Sequence, residues 1–223
     1  MSRTDQQSPG VGSPTDSRRL VEILAVIATG LAKFVFIDFF PLKFWYVLSS
    51  CLLWLAYIIF RISQDANLPN AWGFRRGGFR QSLKVVLPLS LIALGAFVFI
   101  GITNHTLVLN WHIIPILALY PVWGVIQQFL IIGLIAGNLM HMRQWQIPKR
   151  IVMLTASVVF SVVHYPSIPL VAATFLLALF YSWLYLKYRN LWILGIFHGW
   201  LGGFFYFLVL GRDPWLEFIQ AIQ

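Results

Sequence analysis

Acidic residues are scarce in this chain, and most of it has none. The 223 residues include only seven Asp and Glu residues, against 16 Lys and Arg residues. No acid lies between Asp65 and Asp213. General bases and catalytic zinc sites often depend on carboxylates. Within the apolar segments of the chain, only Glu22 and Asp38 could supply one.

Charged residues of either sign and cysteines are also few. Charged residues make up 10% of the chain and hydrophobic residues 59%, and the mean hydropathy is +0.78. An ordinary soluble domain is about one-quarter charged, so this composition excludes a water-soluble globule. The single cysteine, Cys51, excludes an internal disulfide and a cysteine-based metal cluster.

The chain contains several long runs of apolar residues. A bilayer core about 30 Å thick requires about 20 apolar residues of helix, and runs of this kind recur along the chain. We therefore predict an all-α fold, a polytopic membrane helical bundle of about seven transmembrane helices. The number is eight if the fourth span, which contains Pro115 and Pro121, is two pieces. The predicted spans are residues 20–40, 44–60, 85–102, 120–140 (or 113–140), 151–165, 170–186 and 191–210.

The N-terminal segment differs from the rest of the chain. Residues 1–19 contain no apolar run and are rich in Ser, Pro, Gly and Asp. Such a segment cannot bury enough apolar surface to fold, and a signal peptide needs an apolar stretch after its basic region. We predict a disordered tail over residues 1–19 and a single membrane-embedded domain over residues 20–223.

The net charge of +9 fits the predicted topology. If the N-terminus is cytoplasmic, the loop cations fall on the cytoplasmic side except for Lys43 and Arg212, as the positive-inside rule requires. The same distribution predicts the lipid bilayer, with its anionic headgroups, as a partner. Nucleic acid is not a predicted partner, because no recognition motif accompanies the charge. The cytoplasmic cations are Arg3, Arg18, Arg19, Arg61, Arg75, Arg76, Arg80, Lys84, Arg143, Lys149, Arg150, Lys187 and Arg189.

Two adjacent amides, Gln127 and Gln128, lie near the middle of the fourth span. The bilayer core has no water to solvate them, so each needs a partner inside the protein. His164 and His198, in two later spans, are the other strongly polar side chains at comparable depth. At 1.5 Å per residue the amides lie about 18 Å deep, His164 about 20 Å and His198 about 10–12 Å. One shared site is geometrically allowed.

Small residues indicate that the helices carrying these side chains can approach closely. Gly133 and Gly137 form a G-x-x-x-G face on the fourth span, and Gly195, Gly199 and Gly203 repeat that spacing on the seventh. Small residues at this spacing let transmembrane backbones pack tightly.

Serines on the fifth span leave two further interpretations open. Ser157, Ser161 and His164 share one helix face, and interhelical hydrogen bonding is the simplest role for them. A Ser–His dyad using Ser157, Ser161 or Ser182 is less favoured. No G-x-S-x-G-like turn surrounds these serines, and Ser161 lies on the same helix as His164.

Three short motifs carry a family resemblance. Phe160-Ser-Val-Val-His164 matches F-x-x-x-H, His198-Gly-Trp-Leu-Gly202 matches half of H-x-x-x-N, and Gln127-Gln128-Phe-Leu-Ile-Ile132 occupies the place of E-E-x-x-x-R. In this order, over residues 110–210, the chain resembles the CPBP family. That family includes the type II CAAX prenyl endopeptidases and bacteriocin-processing or immunity proteins. The chain departs from its pattern at Gln127, Gln128, Ile132 and Gly202.

The resemblance implies a function and a site. The motif positions Gln127, Gln128, His164 and His198 would be the catalytic positions of an intramembrane metalloendopeptidase acting on membrane-associated or prenylated peptides. His164 and His198 would be the metal ligands, if a metal is bound. Zinc is the expected cofactor of an active enzyme, and no cofactor is expected for a pseudoenzyme.

Two hypotheses follow, because a neutral amide cannot accept a proton near neutral pH. The first is an endopeptidase that works despite the missing acids. The second is a non-catalytic pseudoprotease that binds a hydrophobic or lipidated peptide as a scaffold, immunity factor or chaperone, with the amides hydrogen-bonded to the histidines. A small transporter subunit is less favoured, because internal repeats and mid-membrane charges are lacking. For either hypothesis we predict an integral membrane protein of a bacterial plasma (inner) membrane.

Overall fold

The computed structural model describes residues 15–40 and 42–220, and this part of the chain consists of helices joined by turns and loops, with no strand. Three of its helices continue into π-helical turns, over Phe34–Phe39, Phe129–Ala136 and Phe205–Val209. The helices are α1 (Asp16–Lys33), α2 (Lys43–Gln64), α3 (Leu68–Trp72), α4 (Phe79–Thr103), α5 (Ile113–Gln128), α6 (Gly137–His141), α7 (Lys149–Val162), α8 (Ile168–Tyr188), α9 (Leu191–Phe204) and α10 (Pro214–Gln220).

Within the described residues, six helical segments are long and apolar enough to cross a membrane. This confirms the predicted polytopic helical membrane bundle. The fourth predicted span is one continuous helical segment, Ile113–His141, made of α5, its π turn and α6. The predicted fifth span is the 14-residue helix α7. At 1.5 Å per residue α7 is about 21 Å long and does not cross a bilayer core by itself.

The first helix begins earlier than the sequence predicts. The Thr15 side chain accepts a hydrogen bond from the Arg18 backbone N–H, and Arg19 pairs with Asp16 at 2.8 Å. An N-cap of this kind satisfies one of the free amides at a helix start. Residues 16–19 of the predicted disordered tail are therefore helical, while residues 1–14 lie outside the described residues.

The apolar faces of the outer helices point away from the protein. Leu53 on α2 and Ile92 on α4 are each 72% exposed. A soluble protein does not expose contiguous faces of this kind, whereas lipid solvates them. The structure thus places bilayer contact on α2 and α4. The inner core is formed by the π turn after α5 together with α7, α8 and α9.

A buried polar cluster joins α1 to α2 and α6. The Glu22 carboxylate accepts hydrogen bonds from the Arg61 guanidinium, the Tyr57 hydroxyl and the Asn138 amide, the last at 2.6 Å. The side chains of Glu22 and Arg61 are each only 3% exposed. Glu22, one of the two acids that the sequence left available for chemistry, is therefore committed to holding the bundle together.

We expect Glu22→Ala to destabilise the protein strongly. Removing one partner of a buried ion pair costs about 3–5 kcal/mol, because the other charge is left buried and uncompensated. Asp38→Ala is the matched control, since Asp38 on the same helical segment pairs with Lys33 at 2.7 Å but is more exposed. That change should cost no more than about 1 kcal/mol. Thermal unfolding in detergent measures both, and equal losses would contradict the assignment.

Candidate functional site

Glycines bring the backbones of α5 and α9 into contact. A Cβ atom added to Gly199 would lie 2.2 Å from the Tyr120 carbonyl oxygen, and one added to Gly124 would lie 2.3 Å from the Gly195 carbonyl oxygen. No side chain fits at such distances. The predicted close-packing face of the seventh span is confirmed at Gly195 and Gly199.

The partner glycine on α5 differs from the one that the sequence indicated. Gly124 faces α9, whereas Gly133 lies beside Phe129 and Leu191, and Gly137 lies beside the Tyr185 hydroxyl. The G-x-x-x-G spacing of Gly133 and Gly137 was therefore wrong as a guide to the α5–α9 contact. No spacing motif marks Gly124, which has no second glycine four residues away.

The α5–α9 contact joins two of the predicted site residues. The Nε2 atom of His198 lies 2.9 Å from the Oε1 atom of Gln127. With the amide oxygen as acceptor, His198 carries its proton on Nε2 and donates it. The Nδ1 atom of His198 is then buried and has no hydrogen-bond partner in the described part of the chain.

His164 reaches the same place from the end of α7. It lies in the turn just after α7, and its Nδ1 atom donates a hydrogen bond to the Phe160 carbonyl oxygen at 2.7 Å. Its Nε2 atom is therefore left as an acceptor. The Phe160 ring packs edge-on against both imidazoles, with centroid distances of 4.9 Å to His164 and 5.3 Å to His198. The Phe of the F-x-x-x-H motif thus spaces the two histidines.

Gln128 does not join this group. It is fully buried, and neither its amide nitrogen nor its amide oxygen has a partner among the described residues. Successive residues of a helix point about 100° apart, so Gln127 and Gln128 cannot face the same space. The expected hydrogen bond between Gln128 and a histidine is not formed, and the two amides have different environments.

Two cavities meet at Gln127. The first, of about 370 Å³, lies among α1, α2, α5 and α7, and the second, of about 390 Å³, lies among α4, α5, α8 and α9. Gln127, His164 and Trp123 line both cavities, and His198 lines the second. Volumes of a few hundred cubic ångströms suit small ligands or parts of larger ones. The rest of both walls is mainly apolar.

Among the described residues, Lys33 is the one charged side chain that lines the first cavity. Its Nζ atom donates to the Asp38 carboxylate at 2.7 Å and to the Tyr165 carbonyl oxygen at 2.6 Å, which fastens the turn that holds His164. Asp38, the second acid left available by the sequence, therefore pairs with Lys33 and lines neither cavity. Neither cavity is lined by a carboxylate of the residues that the structure describes.

The donor set does not fit a catalytic zinc centre. No group of three or more His, Cys, Asp and Glu side chains comes together within the described residues. The groups present are two imidazoles and one neutral amide oxygen, which already accepts the His198 hydrogen bond. A catalytic zinc site typically uses three good protein ligands, and a glutamine replaces a glutamate poorly.

Within the described residues, none of the three candidate serines is hydrogen-bonded to a histidine, and the buried Ser182 hydroxyl has no partner there. The Ser157 hydroxyl donates to the Met153 carbonyl oxygen at 2.8 Å, and the Ser161 hydroxyl donates to the Val158 carbonyl oxygen at 3.0 Å. Both bonds lie within α7. The geometry therefore supports the structural role that the sequence favoured for these hydroxyls.

The fold and the site together define a polytopic helical membrane protein with an amide and two histidines gathered inside the bundle. A family described as Rce1-like, type II CAAX prenyl endopeptidase, matches residues 109–204. Comparison with curated proteins finds no match, and neither does comparison with solved structures. The family match spans the four predicted site positions and confirms the predicted CPBP resemblance. Residues 109–204 of this membrane protein are thus similar to the type II CAAX prenyl endopeptidases.

We expect Gly199→Ala to separate α5 from α9, because its new methyl group would lie 2.2 Å from a backbone oxygen. The unfolding temperature should fall, and the Gln127–His198 contact should open. Gly202→Ala is the matched control on the same helix, since the nearest atom to its Cβ position is 4.0 Å away.

A cysteine pair placed across α5 and α9 would report the separation by its cross-linking yield in both variants. Equal behaviour of the Gly199 and Gly202 variants would contradict the proposed contact.

Proposed function

We propose that this protein is a non-catalytic member of its family that binds a hydrophobic or lipidated peptide where the two cavities meet. The observation that carries the proposal is the neutral Gln127–His198 hydrogen bond. It stands where peptide hydrolysis would need a carboxylate. We place this binding in a bacterial plasma membrane, the location predicted from the sequence.

The site is better suited to holding a peptide bond than to breaking one. A general base must take a proton near the working pH, and the Gln127 amide cannot do so. The amide nitrogen of Gln127 has no partner in the described structure and can donate a hydrogen bond to a peptide carbonyl. The free Nε2 atom of His164 can accept one from a peptide N–H. Gln127 and His164 would then orient the backbone of a bound segment.

Apolar contact would supply most of the affinity. Burying apolar area contributes roughly 25 cal/mol per Å², and both cavities are lined mainly by aliphatic and aromatic side chains. A peptide with a lipid chain or large apolar residues on both sides of one peptide bond would fill both cavities at once. This arrangement defines the proposed ligand class.

Cavity-filling substitutions test the binding proposal. Ala93→Phe fills the second cavity and Ser50→Phe fills the first. Each should weaken binding of a fluorescent farnesylated peptide by about tenfold, equivalent to about 1.4 kcal/mol. The controls are Ile92→Phe and Leu53→Phe, which change neighbouring positions on the lipid-facing surface and should leave binding unchanged.

The same samples are assayed for cleavage of the peptide by mass spectrometry. We expect saturable binding with the peptide intact. Cleavage by the natural protein that disappears in His164→Ala would overturn the non-catalytic proposal.

Replacing each glutamine by glutamate tests whether a missing carboxylate is the reason that the site does not bind metal. Gln127→Glu places a carboxylate beside His198 and on the cavity that holds His164, so it should fold and gain stoichiometric zinc binding. Gln128→Glu buries a charge that has no partner, so we expect it to lose several kcal/mol of stability. Metal content and thermal unfolding of both variants measure the difference. Stoichiometric zinc in the natural protein, lost in His164→Ala, would contradict the proposal of a metal-free site.

A further inference from the structure

A third cavity, separate from the two that meet at Gln127, lies at the end of the bundle that the charge distribution places in the cytoplasm. It is open, has a volume of about 1250 Å³ and lies between the start of α4 and the start of α9. Its polar lining includes Arg75, Arg76 and Arg80, and none of the described residues that line it is acidic. Its apolar lining is formed by Phe74, Phe79, Trp192 and Ile196.

The loop that carries the arginines is held rigidly. Arg75 donates to the backbone oxygens of Tyr188 and Arg189 at 3.2 and 3.1 Å. The Asn190 side chain is fully buried, and it donates to the backbone oxygens of Arg75 and Gly77 at 2.7 and 3.1 Å. These contacts fasten the loop to the α8–α9 turn. The backbone on both sides of Arg76 is therefore held in place by hydrogen bonds.

Arg76 and Arg80 carry charge that the described residues do not neutralise. Neither makes an ion pair there, whereas other cations pair with Asp16, Glu22, Asp38 and Glu217. Both arginines are exposed. The first turn of α4 also has no side-chain cap, and free amides at a helix start favour an anion.

The apolar lining indicates where the anion comes from. Trp192 is 44% exposed beside the arginines, and tryptophan favours the level of lipid headgroups. The α4 helix continues from this cavity along the lipid-facing surface. A phosphate at the arginines would thus have an apolar path for an attached acyl chain.

We propose that this cavity binds the phosphate of an anionic membrane phospholipid, with Arg76 and Arg80 contacting the phosphate and Trp192 contacting the lipid below it. Arginine suits this role because its planar guanidinium group offers paired donors to phosphate oxygens. The site is separate from the cavities at Gln127, and it does not depend on whether the protein binds or cleaves a peptide.

The test uses the full chain in a zwitterionic detergent, with short-chain phosphatidylglycerol, short-chain phosphatidylcholine and inorganic phosphate as probes. Thermal stabilisation is followed as each probe is titrated. We expect phosphatidylglycerol to bind at least about tenfold more tightly than phosphatidylcholine, since Arg76 and Arg80 attract a headgroup that carries a net negative charge. Inorganic phosphate should bind more weakly than phosphatidylglycerol. If inorganic phosphate binds as tightly, the lipid assignment is overturned in favour of a soluble phosphate ligand.

Matched charge variants separate the cavity from general surface charge. Arg76→Gln/Arg80→Gln should bring the preference for phosphatidylglycerol below about twofold. Lys149→Gln/Arg150→Gln is the control, because these exposed cations also stand at a helix start but line no cavity described here. Equal loss in both double variants, or no loss in the first, would overturn the proposal. Trp192→Ala should weaken phosphatidylglycerol binding but not inorganic phosphate binding.

Discussion

The contact between α5 and α9 is the interaction on which the site depends. Gly124, Gly195 and Gly199 remove the side chains that would hold the two backbones apart. Inside a bilayer, helices do not gain from hiding apolar surface from water, so close van der Waals packing of this kind is a main source of association. The same contact sets the distance between Gln127 and His198. A larger residue at any of these glycines would change the packing and the site together.

The hydrogen bond between Gln127 and His198 pairs two neutral polar groups inside the membrane-embedded bundle. A carboxylate in this position could act as a base and as a metal ligand. An amide is neutral, and it can only donate and accept hydrogen bonds. The pair satisfies one polar atom from each of two helices without placing a net charge in the apolar core. The Gln128 amide, turned away from the cavities, lacks even that compensation in the described structure.

Some charged side chains of the bundle are paired inside the protein, whereas the arginines at the start of α4 are not. Glu22 and Arg61 neutralise each other in a buried cluster, and Lys33 is neutralised by Asp38 at the turn before α8. At the start of α4, by contrast, the arginines face an open cavity with no acid in its lining. Helix α9 connects these regions, because Trp192 lines the basic cavity and His198 lines the apolar one. Six residues of helix separate them by about 9 Å.

The sequence by itself determined the class of fold and predicted four candidate site positions, of which the structure brings Gln127, His164 and His198 together and leaves Gln128 apart. Its apolar runs and sparse charge allow only a helical membrane bundle, since a bilayer leaves no solvent for unpaired backbone groups. Most span bounds follow from composition, and the order of the motifs located Gln127, His164 and His198. The short length of α7 was visible in the sequence as well.

Only the tertiary structure decided which partners meet. Local spacing predicted Gly133 and Gly137 as a contact face of the fourth span, whereas the backbone contact with α9 uses Gly124, whose role depends on a helix about 70 residues further along the chain. The sequence could not separate Gln127 from Gln128, because the two differ only by a rotation about the helix axis. It could not pair Glu22 with Arg61 either, because a contact between distant residues has no local signature. The apolar composition requires a lipid environment and therefore a helical membrane fold. Which side chains form the site depends on how each helix is rotated against its neighbours.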